Sequence, residues 1–238
     1  MIPPTRSAAR EWLARLSSTI RSADETALVT VGLHMEDLEE DRLLGPSEAA
    51  EACDLLTMHG YPIYARWADG PTDHQLLPFL ARVTHWLGDG RGVLFSEFGL
   101  PTYRRGDPHE QSAGATPLVE EDAAAAYTTA ALEGLRRAGC LGAMLWCYSD
   151  YDSRLWENPP FDLAPHERTF GLWRSDGSPK PAVAAIAAFA GAERCSPGHA
   201  DGWIDIDRDE FLLDPRAQLP RLYRRYRKQS RDEDATSA

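Results

Sequence analysis

Apolar positions along the chain recur at two spacings. Between Ser7 and Ser22, Trp12, Leu16 and Ile20 stand four apart with Leu13 beside them, which predicts an amphipathic helix facing the sheet. Ala27 to His34 follows as a continuous apolar run, the pattern of a strand buried on both sides in a parallel sheet. The alternation then repeats. A short helix from Ser47 to Ala52 leads into a strand from Cys53 to His59, and a loop rich in Tyr, Pro, Gly and Asp reaches Thr72. Leu76, Leu80, Val83 and Leu87 mark a helix that Gly88 and Gly90 can end. Gly92 to Glu97 is a third strand, and a long polar loop runs from Phe98 to Pro117. An alanine-rich helix from Leu118 to Ala138 is closed by Gly139, and Cys140 to Cys147 is the fourth strand. After a loop rich in Asp, Pro and aromatics, Pro181 opens a helix that Gly191 ends.

Four helix–strand repeats predict an α/β fold with a parallel sheet. The turns before the strands are short and the loops after them are long and chemically rich, as in a (β/α)8 TIM-type barrel, whose sites are built on the loops after the strands. Four parallel strands cannot close a barrel alone, and the first would present an exposed edge. The expectation is therefore a fragment of a barrel, an open four-stranded sheet, or a pair of two copies. Residues 1–192 form this partial domain and 193–238 an extension, in which Trp203–Asp207 and Glu210–Leu213 predict a small hairpin. Asp214 and Pro215 open a last helix, and disorder is expected from about Gln229.

Hydrophobic residues make up 43% of the 238, enough for a sizeable core. The formal net charge of -12, with no basic patch before the short run from Arg221 to Lys228, argues against nucleic acid as a partner. Cys53, Cys140, Cys147 and Cys195 make no C-x-x-C pair, and no apolar run approaches the roughly 20 residues of a membrane helix. Met1 to Ala8 has no apolar signal core, so a reduced, cytoplasmic setting is the default expectation.

Glu97 is the sharpest chemical candidate, a carboxylate that ends an apolar strand before Phe98-Gly99 and points into the mouth of the sheet. His59 ends the preceding strand, with Tyr61 and Tyr64 just beyond, where a His or Tyr could orient that carboxylate. Trp146 lies near the end of the fourth strand with Asp150 following. An aromatic plane beside acids suits sugar, because ring C–H faces stack on the indole while acids bind hydroxyls. His34, His59 and Glu97 at adjacent strand ends also leave open a metal-dependent hydrolase using His34 and His59.

These segments, in this order, resemble the retaining glycoside hydrolases of family 5, especially mannanase-like and cellulase-like members, from about Arg10 to Ala190. Leu94-Phe-Ser-Glu97-Phe-Gly99 looks like the seventh-strand segment, Met58-His59-Gly-Tyr61-Pro62 like the sixth, and Leu145-Trp146 like the eighth. Phe170 to Pro181 is similar to the segment that closes the barrel. The resemblance implies a β-linked glycan as substrate, Glu97 as nucleophile, and His34, His59, Tyr61, Trp146 and Asp150 as substrate-binding residues, with no cofactor or metal; the lack of a long apolar run separately argues against a membrane partner. Its acid/base Glu, in an Asn-Glu motif after the fourth strand, has no counterpart here. The chain therefore looks truncated before Met1, so a secretion signal would be hidden, and the isolated chain is expected to be nearly inactive or a non-catalytic carbohydrate-binding relic.

Overall fold

The computed structural model describes residues 5–106, 116–193 and 201–236, with side chains to Arg231. Cys195 lies outside these residues. Helix α1 (Arg6–Ala23) starts at Thr5, whose Oγ1 accepts the Ala8 amide at 3.1 Å. Helix α2 spans Glu36–Glu39 and α3 spans Pro46–Ala52. The buried Glu48 carboxylate accepts the Gly45 amide at the head of α3 and pairs with Arg6 and Arg10, tying α1 to α3. Strand β1 (Leu56–His59), helix α4 (Leu76–Leu87) and strand β2 (Val93–Phe98) come next. Two-residue strands β3 (Thr102–Tyr103) and β4 (Val119–Glu120) precede α5 (Glu121–Arg137), β5 (Gly142–Leu145), α6 (Pro181–Phe189), α7 (Arg208–Leu213) and α8 (Pro215–Thr236).

The main sheet has the order β1-β2-β5, all parallel, and β3 and β4 form a second small parallel pair. This is a partial, open (β/α) barrel. Its core runs through Leu56, Met58 and Phe95 of the sheet and through α4, where most positions are buried. A helix apolar on nearly every side must be covered on nearly every side. Here the second cover is the C-terminal extension, whose Trp203, Leu219, Leu222 and Tyr223 belong to the same core. Phe79 of α4 packs on Tyr223 at 4.9 Å and on Trp203 at 5.3 Å between ring centres. Tyr223 also donates to buried Asp73 at 2.6 Å, and Arg227 pairs with the same carboxylate at 2.9 Å.

Four expectations need correction. The hairpin predicted over Trp203–Leu213 is absent: Asp207 caps Glu210 at 2.7 Å and Arg208–Leu213 is helical. The helix after Pro215 continues through Thr236, so no break occurs at Gln229. Ala27–His34 is extended beside β1 but is no regular strand, with one parallel bridge from His34 to His59. Side-chain oxygens replace part of its ladder. Asp54 accepts the Val29 amide at 2.7 Å, and Thr57 donates to the Val31 carbonyl at 2.7 Å and accepts the Leu33 amide at 3.3 Å.

That segment is also covered on one face only. Val29 and Leu33 are buried, whereas Leu28 is 75% exposed. At the opposite edge of the sheet Met144 of β5 is 56% exposed. Helix α1 turns Leu13 and Ser17 inward and leaves Trp12, Leu16 and Ile20 outside, contrary to the expectation that the stripe faces the sheet. Among the described residues no helix is long and apolar enough to cross a membrane.

Large apolar side chains grouped at open edges favour association. Purified chain should therefore show a concentration-dependent rise in mass by gel filtration with light scattering, and Trp12→Ser with Leu16→Ser should reduce it. A constant monomer mass across a hundredfold concentration range is the contrary result.

Candidate active site

The parallel register brings the predicted residues to one edge. His59 lies opposite Glu97, His34 bridges His59, and the Trp146 amide donates to the Phe98 carbonyl at 2.8 Å. In parallel strands all C-terminal ends share one edge, so residues far apart in sequence meet there. Gly60 makes the turn out of β1 because a Cβ there would press on Leu80 and Phe95. Gly99 plays the same part after β2: a Cβ would overlap the Trp146 carbonyl oxygen.

Glu97 is partly open to solvent, with 27% of its side chain exposed. Tyr61 donates to its Oε1 at 2.5 Å, and His59 Nδ1 stands 3.7 Å from Oε2. Burial and the neighbouring Glu97 charge hold the Tyr61 phenol far above its ordinary ionisation range, so it remains a donor. Burial pushes the His59 imidazole below its ordinary value of 6.5, and Glu97 opposes that shift without overcoming it. His59 is thus neutral at pH 7. Tyr61 lies stacked on His34 at 6.4 Å and meets Tyr64 at 5.7 Å and Phe170 at 5.8 Å.

Trp146 keeps 38% of its surface exposed at this edge. Beyond it, Tyr148 stacks on Trp173 at 4.8 Å. Asp150 sits differently from a solvent-facing sugar ligand. Its side chain is 9% exposed, and Oδ1 accepts Lys180 Nζ at 2.6 Å and the Gly171 amide at 2.8 Å. Lys180 also donates to Thr102 Oγ1 and to the Thr169 carbonyl, joining the loops after β2 and β5. Burial raises the Asp150 pKa and lowers that of Lys180, and their contact opposes both shifts.

Sequence reasoning missed His166 and Glu167, which the loop after β5 carries to Tyr64. No spacing or motif announces them, because only the path of that loop brings them near. His34 and His59 rings meet edge to face at 6.4 Å, and His34 Nδ1 accepts the Glu36 amide. Among the described residues no three His, Cys, Asp or Glu are grouped to hold a metal ion.

No protein-family model and no curated protein matches this sequence. Solved structures do. A GH5_18 protein from Streptomyces cattleya, crystallised with Manβ1-4GlcNAc, superposes with a TM-score of 0.65 at 20% identity, over 82% of this chain and 45% of its own. The exo-β-1,4-mannosidase Op5Man5 of Opitutaceae bacterium strain TAV5 matches with a TM-score of 0.60 at 26% identity, over 79% of this chain and 32% of its own. A GH5_18 structure from Bifidobacterium longum subsp. infantis gives 0.62 at 20%, over 82% and 43%. The chain has a glycoside hydrolase family 5-like fold and spans less than half the length of these structures.

Three outcomes test the geometry. Gly99→Ala should destabilise the fold by about 1–3 kcal/mol, since packed elements must shift to relieve the overlap, and a denaturation midpoint equal to wild type would contradict the close approach. For His59, folding disfavours the charged form, so stability is fully present above pH 6.5 and falls as the pH drops below it, where the unfolded chain takes up the proton first. Glu97→Gln removes the strongest interaction favouring protonation, so the His59 midpoint followed by NMR should move lower still. A rise would contradict it.

Proposed function

We propose that this chain carries the nucleophile of a retaining β-glycoside hydrolase acting on a mannan- or glucan-type glycan. The observation that carries the reading is Glu97 itself: a partly exposed carboxylate at the C-terminal end of a parallel strand, oriented by the Tyr61 phenol at 2.5 Å, in a family 5-like fold. A β-mannosyl substrate is favoured over β-glucosyl by the mannosidase at 26% identity and by the disaccharide held in the Streptomyces structure.

In this reading Glu97 attacks the anomeric carbon with one carboxylate oxygen as the bond to the leaving oxygen breaks. Water then cleaves the glycosyl ester and restores the carboxylate, with net retention. Tyr61 holds Glu97 in one orientation and remains protonated throughout. Neutral His59 adds no charge beside the developing oxocarbenium ion. Trp146 offers a sugar-stacking face, and Asp150 acts by fixing Lys180 and the closing loop. The leaving oxygen needs a proton from a second carboxylate about 5–5.5 Å from the first. The resemblance assigns that role to an Asn-Glu segment with no counterpart in these 238 residues. The chain alone is therefore slow on natural glycans by the general-acid contribution, roughly 10²–10⁴-fold. The same gap favours a second reading, a carbohydrate-binding relic that retains Trp146 and has lost turnover.

A good leaving group needs no proton, which separates these readings. A 2-deoxy-2-fluoro-β-mannosyl fluoride should esterify Glu97 in the isolated chain, as peptide mass spectrometry would show, and Glu97→Gln should abolish the adduct. Labelling of another carboxylate would remove Glu97 from the role. Glycan binding without any adduct would favour the relic.

A further inference from the structure

Tyr64, His166 and Glu167 meet across the mouth of the sheet. Tyr64 follows β1, and the other two lie on a short 3-10 turn, Pro165–Thr169, after β5. In the sheet β2 stands between those strands, so the contact passes over the strand that carries Glu97. Tyr64 Oη donates to Glu167 Oε1 at 3.1 Å, and His166 Nε2 lies 3.0 Å from the phenol and 3.3 Å from the same carboxylate oxygen. Burial and Glu167 together keep the phenol protonated. The Tyr64 ring meets Tyr61, which in turn holds Glu97.

The cluster is both reachable and rigidly held. Tyr64 is 40% exposed and the Glu167 side chain 33%. Glu167 Oε2 and His166 Nδ1 take no hydrogen bond among the described residues. The neighbours on one side are pinned: Lys180 holds the Thr169 carbonyl, and Arg168 donates to Phe161 and Trp156 carbonyls and lies over the Trp156 ring at 5.1 Å. A ligand group bound here would cost little further ordering of the protein.

We propose that Tyr64, His166 and Glu167 form a hydroxyl-recognition element that takes vicinal hydroxyls of a neutral sugar ring seated beside Glu97. This rests on the glycan reading above and deepens it. A carboxylate oxygen free to accept, beside an imidazole and a phenol, matches the alternating donors and acceptors of a diol. Two carboxylates flanking one tyrosine pair repel an anionic ring, so a uronic acid or a sugar phosphate is selected against. The half-exposed Tyr64 ring next to the polar atoms supplies apolar surface for a sugar's C–H face.

The test is affinity by saturation-transfer NMR and calorimetry, using β-1,4-mannobiose, its monodeoxy analogues and a β-glucuronide. Wild type should bind mannobiose, lose affinity for at least one monodeoxy analogue, and bind the glucuronide more weakly. Glu167→Gln should weaken mannobiose about tenfold or more, as expected for a charge-assisted bond, and should no longer distinguish mannobiose from that analogue. Tyr64→Phe is the second variant and should show the same loss of discrimination in milder form, with circular dichroism confirming the fold of both. Unchanged affinity in both variants, or an equal loss for every analogue, would overturn the element while leaving the glycan reading intact. Failure of wild type to bind any neutral glycan would overturn the glycan reading and this element with it.

Discussion

The site edge depends on one buried cation. Lys180 heads α6 with 3% of its side chain exposed, and its three protons go to Asp150, Thr102 and the Thr169 carbonyl. Asp150 and Thr169 lie in the segment after β5 and Thr102 in β3, so one ammonium sets how that segment closes over the chain after β2. Burial disfavours both charges, as the opposed shifts of Asp150 and Lys180 show. Such a pair persists because its geometry is complete, and removing one partner typically costs about 3–5 kcal/mol by stranding the other. Gly171 completes the arrangement. Its amide donates to Asp150 Oδ1, and a Cβ at this position would overlap the backbone of Ser149 and Asp150. Lys180 therefore fixes the approach of Phe170 to Tyr61 and the placing of His166 and Glu167.

Much of this was legible in the residues. Apolar runs located α4 and the three strands of the sheet to within a few positions, and alanine richness with Pro and Gly boundaries located α5 and α6. Glu97, His59 and Tyr61 were legible for a related reason: a strand end in a parallel sheet defines direction and neighbours together. Asp150 was visible as an acid near Trp146 but not as the partner of Lys180, since the contact spans 30 positions and leaves no local pattern. Glu167 was invisible for the same reason, at a separation of 103 from Tyr64.

The misreadings arise where polar or tertiary forces compete with pattern. Ala27–His34 looks like a strand by composition, yet Asp54 and Thr57 supply oxygens that displace backbone partners from the ladder. Glu210–Leu213 has strand-like composition, but Asp207 stands where its carboxylate can cap a helix, and the cap decides. The stripe of Trp12, Leu16 and Ile20 was read as buried. Its periodicity is real, but the acid at Glu48 recruits Arg6 and Arg10 and turns the Leu13 side of α1 toward α3.

Openness and chemistry are connected at the sheet. In a closed barrel the exposed Leu28 and Met144 would face other strands, and the carboxylate at the mouth would be surrounded by loops on every side. Here the loop after β5 supplies part of that surround by reaching over β2 to the loop after β1. Water exclusion would matter to the proposed reaction, because the charge that develops in an oxocarbenium-like transition state is stabilised most by fixed dipoles in a low dielectric. Tyr61 provides such a dipole at 2.5 Å whether or not the barrel is complete. Nucleophile orientation is thus local to this chain, built from β1, β2 and two loops. In the proposed reaction proton delivery would not be local, since it needs a second carboxylate. The described residues can hold and orient Glu97 without closing the barrel, and that separation allows nucleophilic attack and acid assistance to be tested independently.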